Sequence, residues 1–191
     1  MPAPAKIFLL HLELKDIRPP IWRQILVSSH TTLAQLHRII QVLMGWYNYH
    51  LYMFRIGGIE HAPPHPDDEF YGDRPESVRT RLSSHLRRTS SHVAYEYDLG
   101  DGWQIRITLK RIYDDLPTEA LPMCVGGQRH GPLEDSGGPP GYQDLLQILA
   151  DPHHDEYQSM HDWAPEDFDS EEFSIETANV QLHEEFRRRH R

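Results

Sequence analysis

The amino-acid sequence predicts a single α+β domain: a mixed or antiparallel sheet with hairpins, packed against a few helices and joined by long Gly/Pro-rich loops. Three observations predict it. Phe8, Leu10, Leu12 and Leu14 alternate with a face that turns polar at His11 and Glu13, which is the period of a half-buried strand. Thr32 and Gln35 form a capping box, followed by Leu33, Leu36, His37, Ile40, Leu43 and Met44 at helical spacing, with Gly45 placed to close the helix in the left-handed conformation. Third, Val93, Tyr95, Tyr97 and Leu99 share one strand face, and Trp103, Ile105, Ile107 and Leu109 share the next. The intervening Gly100 and Gly102 supply the positive φ of a tight hairpin, and Asp98 and Asp101 bond its amides.

The other elements follow in order. Pro19 and Pro20 withhold donors from a ladder and turn the chain before a second strand over 21–27. Tyr49 to Ile56 alternates again and stops at Gly57-Gly58, and the Pro-rich stretch from Ala62 to Pro75 reads as an exposed loop. Val78, Leu82 and Leu86 suggest a short helix. The segment 116–142 is dense in Pro and Gly and reads as one long loop, a length that usually signals function or disorder. A helix over 142–150 carries Leu145, Leu146, Ile148 and Leu149, and a final helix over 174–189 turns Ile175, Ala178, Leu182 and Phe186 inward. The acidic run from Glu166 to Glu172 reads as solvated loop.

A chain of 191 residues fits one core better than two, since halves would be marginal in size. Its 38% apolar content is ordinary for a globular chain, whereas a mean hydropathy of -0.64 and 15 prolines imply long polar connections. The formal net charge of -10 repels phosphate backbones, so nucleic-acid binding is not expected without a local basic patch. The candidates are Arg79, Arg81, Arg87 and Arg88, and the tail Arg187-Arg188-Arg189-His190-Arg191; the tail cations suit a helix C-terminus instead. A single cysteine, Cys124, excludes an internal disulfide and suits a reducing cytoplasm. The apolar run Ile7 to Leu10 is too short for a signal segment or membrane span, so no membrane association is expected.

Several ordered motifs resemble the plasmid pRiA4b ORF-3-like family. They are Pro19-Pro-Ile-Trp-Arg23, Thr32-Leu-Ala-Gln-Leu-His37 running to Met44-Gly-Trp46, and Tyr49-His-Leu51 with Phe54. Further along come Tyr95-Glu-Tyr-Asp-Leu-Gly-Asp-Gly-Trp103, Glu134-Asp-Ser-Gly-Gly138 with Gly141-Tyr142, and Phe168-Asp-Ser-Glu-Glu-Phe173. The resemblance covers nearly the whole chain and implies an α+β fold with no assigned reaction, in a family sometimes labelled as resolvases or linked to mobile elements. A serine resolvase needs a nucleophilic serine among activating arginines and a helix-turn-helix. Ser28 and Ser29 have no arginine cluster nearby, and the last helix has no partner at a tight turn, so that chemistry is excluded. Two departures stand out: Gln104 where the family commonly has histidine, and Leu133 where it commonly has a second proline.

Candidate sites divide into carboxylates and aromatics. Asp98, Asp101, Glu134 and Asp135, with His37, His50 or His130 as further donors, would suit a divalent cation such as magnesium, manganese or zinc. The same aspartates could simply satisfy turn amides. Trp22, Arg23, His37, Trp46, His50, Tyr97, Trp103 and Tyr142, with Tyr47, could line a binding groove, since aromatics and arginine dominate interface hot spots; core packing is the competing reading. His153, His154, His161, His61 and His65 read as solvated loop histidines, their spacing or neighbouring prolines opposing chelation on a helix. Cys124 with His130 is conceivable as nucleophile and base, but six residues of Gly-rich loop fix no geometry between them.

The functional expectation is a non-enzymatic binding or regulatory module in a bacterial or mobile-element context, engaging a protein partner and needing no cofactor. The alternative is a divalent-metal-dependent hydrolase or nuclease using the acidic turns. Sequence-specific nucleic-acid binding through the arginine groups stands third.

Overall fold

One long sheet organises the chain, and a computed structural model describes residues 5–64, 76–114 and 120–187 of it. The strands are β1 (Ile7–Leu14), β2 (Trp22–Ser28), β3 (Tyr52–Ile56), β4 (Ile59–Ala62), β5 (Glu76–Ser77), β6 (His92–Tyr97), β7 (Trp103–Tyr113) and β8 (Met123–Gln128). Their order across the sheet is β5-β4-β3-β6-β7-β1-β2-β8, with every pair antiparallel except β4 and β5. The helices are α1 (Leu33–Met44), α2 (Leu82–His85), α3 (Gly138–Ala150), α4 (Tyr157–Trp163) and α5 (Ile175–Arg187). The architecture is therefore α+β, as the patterning predicts.

The alternation in each strand assigns its faces. Leu10, Leu12 and Leu14 of β1, Tyr95 and Tyr97 of β6, and Trp103, Ile105, Ile107 and Leu109 of β7 are buried in one cluster with Leu36, Ile40 and Leu43 of α1, Tyr142 and Leu145 of α3 and Leu182 of α5. The intervening His92, Ala94, Gln104, Arg106 and Lys110 are exposed on the other face. Helix α1 starts at Thr32 with both halves of its capping box made, and Gly45 ends it at φ 73, its amide reaching the Gln41 and Val42 carbonyls. Those carbonyls would otherwise be orphaned at the helix end.

Several local expectations need correction. Gly57-Gly58 ends β3 as expected but turns it directly into β4, so His61, expected in a solvated loop, is a buried strand residue whose ring stands 4.9 Å from that of His85. His65 and residues 65–75 lie outside the described residues, as do 188–191 of the basic tail. The strand expected from Tyr49 begins only at Tyr52, and Tyr49 and Leu51 are exposed. Segment 116–142 is not one loop: β8 lies within it and adds the outer strand beside β2, because its residues can satisfy backbone groups that β2 would leave open. Helix α3 starts at Gly138, four residues before Tyr142, with proline in its first turn, where a missing N–H costs nothing. Helix α4 was not anticipated, and Leu99 and Ile175 are exposed rather than inward.

At the β6–β7 turn the positive φ belongs to Asp98 (53°) and Gly102 (69°), not to Gly100. An aspartate tolerates that conformation because its side chain bonds the local backbone. The Asp98 Oδ1 accepts from the Gly100 amide at 3.0 Å and the Asp101 amide at 3.3 Å.

Candidate functional site

Four side chains position the segment that follows α1. The Asn48 amide donates to Gln41 Oε1 (2.9 Å), Gln41 Nε2 donates to the Tyr95 hydroxyl (3.0 Å), that hydroxyl lies 2.8 Å from His37 Nδ1, and His37 Nε2 lies 2.8 Å from Asn48 Oδ1. The circuit closes if Tyr95 donates to Nδ1 and the neutral imidazole donates from Nε2. Burial favours that neutral ring, holding the His37 pKa down to about 4. His37 also stacks on Tyr52 at 3.5 Å with nearly parallel planes. His37 is thus a core strut, and Asn48, at φ 61, is clamped in a left-handed turn that delivers His50 to the surface.

A second set of bonds brings the 134–138 turn to the same place. Glu134 Oε2 accepts from the Tyr47 amide at 2.8 Å, and Oε1 accepts a short hydrogen bond from the Tyr97 hydroxyl, which itself accepts from the Tyr49 amide. Asp101 Oδ2 accepts from the Gly137 amide at 3.1 Å. Gly138 fits beneath that contact only without a side chain, since a Cβ would sit 2.2 Å from the Asp101 carbonyl oxygen. Ser136 closes the turn by donating to the Leu133 carbonyl.

The four carboxylates expected to act together therefore separate into two roles. Asp101 and Glu134 are struts, spent on amides and a phenol. Asp98 and Asp135 instead face His50: its Nε2 lies 3.2 Å from Asp135 Oδ1 and 3.6 Å from Asp98 Oδ2. The three donor atoms fall within 4.8 Å of one another.

Beside this group runs a cleft of about 890 Å³ between the end of α1, the 130–135 segment, the 163–174 connection and α5. Asp135, Asp167, Glu172 and Glu184 line it as exposed carboxylates, and Glu185 there is paired with Arg38. Tyr47, Tyr49 and Trp163 are its exposed aromatics, the two tyrosine rings stacking at 5.7 Å.

Of the residues expected to line a groove, most are packed inside. Trp46, Tyr97, Trp103 and Tyr142 are buried, with Trp46 stacked on Tyr97 at 4.8 Å and its indole N–H donating to the Pro132 carbonyl. Arg23 is buried too and has no carboxylate partner among the described residues. It donates to the carbonyls of Leu43, Trp22, Gln128 and Arg129 while its guanidinium lies 3.8 Å over the Phe173 ring. Trp46 and Arg23 reach the cleft floor; Trp22 is half-buried and bonds Gln128 across the β2–β8 edge. Their residue types suited a groove because indole, phenol and guanidinium also serve as buried groups with one polar tip.

The remaining candidates stay apart from the cluster. The Cys124 thiol donates to the Gly126 carbonyl and burial pushes its pKa up, whereas His130 Nδ1 engages the Gly131 carbonyl, and among the described residues no hydrogen bond joins the two side chains. His153, His154 and His161 are exposed, as are Arg79, Arg81, Arg87 and Arg88. The acidic run is not wholly solvated: Glu171 pairs with buried Arg129 at 2.8 Å. The exposed Tyr49 and Trp163 and the carboxylates of α5 were missed as cleft residues. Exposed aromatics beside acidic residues were their only sequence signal.

Comparison with known proteins agrees with the motifs. The family model for plasmid pRiA4b ORF-3-like proteins matches residues 6–177. The chain belongs to that family. An uncharacterized protein, y4hQ of Sinorhizobium fredii (strain NBRC 101917 / NGR234), is 36% identical over 169 residues, spanning 87% of this chain and 85% of its own. A crystal structure of a protein of unknown function, MM3350 from Methanosarcina mazei Go1, superposes with a TM-score of 0.80 at 32% identity, covering 91% of this chain and 98% of that one. In this pRiA4b ORF-3-like protein Gln104 lies on the exposed face of β7, opposite Trp103, and Leu133 packs against the core. Among the described residues no helix is long and apolar enough to cross a membrane.

Proposed function

We propose that this pRiA4b ORF-3-like protein is a non-enzymatic binding module, acting in the cytoplasm, whose cleft takes a cationic segment of a protein partner. The observation that carries this reading is the pairing of four exposed carboxylates, Asp135, Asp167, Glu172 and Glu184, with the exposed rings of Tyr47, Tyr49 and Trp163 along one cleft. Lysine and arginine side chains are attracted to both kinds of group, through charge pairing and through the negative faces of aromatic rings. A net charge of -10 steers a basic partner toward the surface as well. Buried Arg23 faces carbonyl oxygens and a phenyl ring, so its charge is already answered within the fold.

The test is titration of the protein with a lysine/arginine-rich decapeptide and with its glutamate-rich counterpart, followed by tryptophan fluorescence and calorimetry at low and high salt. Saturable binding of the basic peptide alone, weakened at least tenfold between about 0.02 and 0.3 M salt and by Trp163→Ala, is expected. Equal affinity for both peptides, or none for either, would count against the reading.

A further inference from the structure

We infer that His50, Asp98 and Asp135 form a binding site for one divalent transition-metal ion of the zinc class. His50 Nε2 is shielded from solvent yet makes no hydrogen bond among the described residues. Two carboxylate oxygens stand near it, one at 3.6 Å, beyond hydrogen-bond reach, and one at 3.2 Å that lacks the geometry of an N–H donor bond. A ring nitrogen shielded from water without a hydrogen-bond partner is costly, and one flanked by two carboxylates can share a cation with them.

The spacing fits the same conclusion. Ligand atoms held about 2.0–2.2 Å from a tetrahedral ion stand roughly 3.3–3.5 Å apart, and the two His50 separations bracket that edge. The third edge, Asp98 to Asp135, is no longer than 4.8 Å, and the Asp135 side chain, 68% exposed, is free to close it. Asp98 is already oriented: the Gly100 and Asp101 amides hold Oδ1, which turns Oδ2 toward the imidazole. His50 is held by the Asn48 turn, and Asp135 by the anchored Glu134 beside it. His50 and Asp98 are held in place, and Asp135, exposed at the cleft lining, closes on them, so three protein donors leave a fourth position for water. One imidazole among two carboxylates favours zinc or manganese over magnesium and calcium, which prefer all-oxygen shells.

Metal-stripped protein would be titrated with Zn²⁺ and with Mg²⁺ by calorimetry, alongside His50→Ala, His50→Gln and Asp135→Asn, each checked by circular dichroism. The expected result is one Zn²⁺ per chain at micromolar affinity or tighter, at least tenfold weaker in all three variants, with a zinc-induced rise in Tm that His50→Gln abolishes. Absence of stoichiometric zinc binding by the wild-type protein would overturn the inference. So would wild-type affinity in the folded His50→Gln and Asp135→Asn variants, which would assign the zinc to the exposed His153, His154 and His161.

Discussion

Inside the core, Nδ1 of His37 stands 2.8 Å from the Tyr95 hydroxyl, and the tyrosine has its other bond from Gln41. Protonating the imidazole would turn an acceptor into a donor facing that hydroxyl and put a charge in an apolar layer. Burial is the main reason the pKa falls to about 4; Arg38 adds to it, and the Asn48 bond opposes it. Well above pH 6.5 the ring is neutral in both folded and unfolded chains, so it has no pH effect there. Between pH 6.5 and about 4 the unfolded chain binds a proton that the folded chain refuses, and stability falls as pH drops, by a sum on the order of 3 kcal/mol. Urea unfolding at pH 7 and pH 4.5 measures it, and the drop should be smaller in His37→Gln. An identical drop in that variant would remove His37 as the cause.

Arg23 joins the sheet to the end of α1 without a counter-ion among the described residues. Its fork serves four carbonyls, one of them the Leu43 oxygen left unpaired at the helix end, and burial lowers its pKa to about 10. Lysine has three donors on a single nitrogen and no plane to lay on Phe173, so it cannot reproduce this pattern. Arg23→Lys should cost about 2–4 kcal/mol, and Arg23→Met, which leaves all four carbonyls without that donor, no less. Denaturant midpoints of the two variants test the ordering.

Gly138 and Gly57 separate two costs of adding a methyl group. Both have positive φ, 68° and 58°, but a Cβ on Gly57 meets nothing within 4 Å, whereas one on Gly138 would meet the Asp101 carbonyl oxygen at 2.2 Å. Gly57→Ala should therefore cost only the conformational strain, about 1–2 kcal/mol. Gly138→Ala should cost more than about 3 kcal/mol, because the 134–138 turn must also move off the β6–β7 hairpin. Thermal unfolding of both variants compares them; equal losses would mean that the turn relaxes freely.

The fold was legible wherever a period or a cap was strong. Leu10, Leu12 and Leu14, the Thr32–Gln35 box and the Tyr95–Trp103 hairpin read directly, because burial on one face imposes its period on local sequence. Strand β8 did not, since its Gly126 and Gly127 carry turn signals. They are there for packing: a Cβ on Gly127 would run into the Phe173 ring, and one on Gly126 would press on Trp22. The site was half legible. Asp98, Asp135 and His50 were all candidates, but Asp101 and Glu134 look the same in sequence. Only tertiary contacts with Gly137, Tyr47 and Tyr97 commit them elsewhere.

Tyr97 is the residue through which both faces of the site are held. Its hydroxyl donates to Glu134 and accepts from the Tyr49 amide, and burial together with the adjacent carboxylate raises its pKa well beyond an ordinary phenol, so it remains a donor. Tyr97→Phe leaves the ring stacked on Trp46 but strands the Tyr49 amide and one oxygen of Glu134. The expected stability loss is about 1–3 kcal/mol. Because Tyr49 adjoins His50 and Glu134 adjoins Asp135, zinc affinity should also fall several-fold although no ligand is altered. A double-mutant cycle with Glu134→Gln, read by urea unfolding, should show coupling of about 1 kcal/mol or more. Additive losses would show that phenol and carboxylate are held independently.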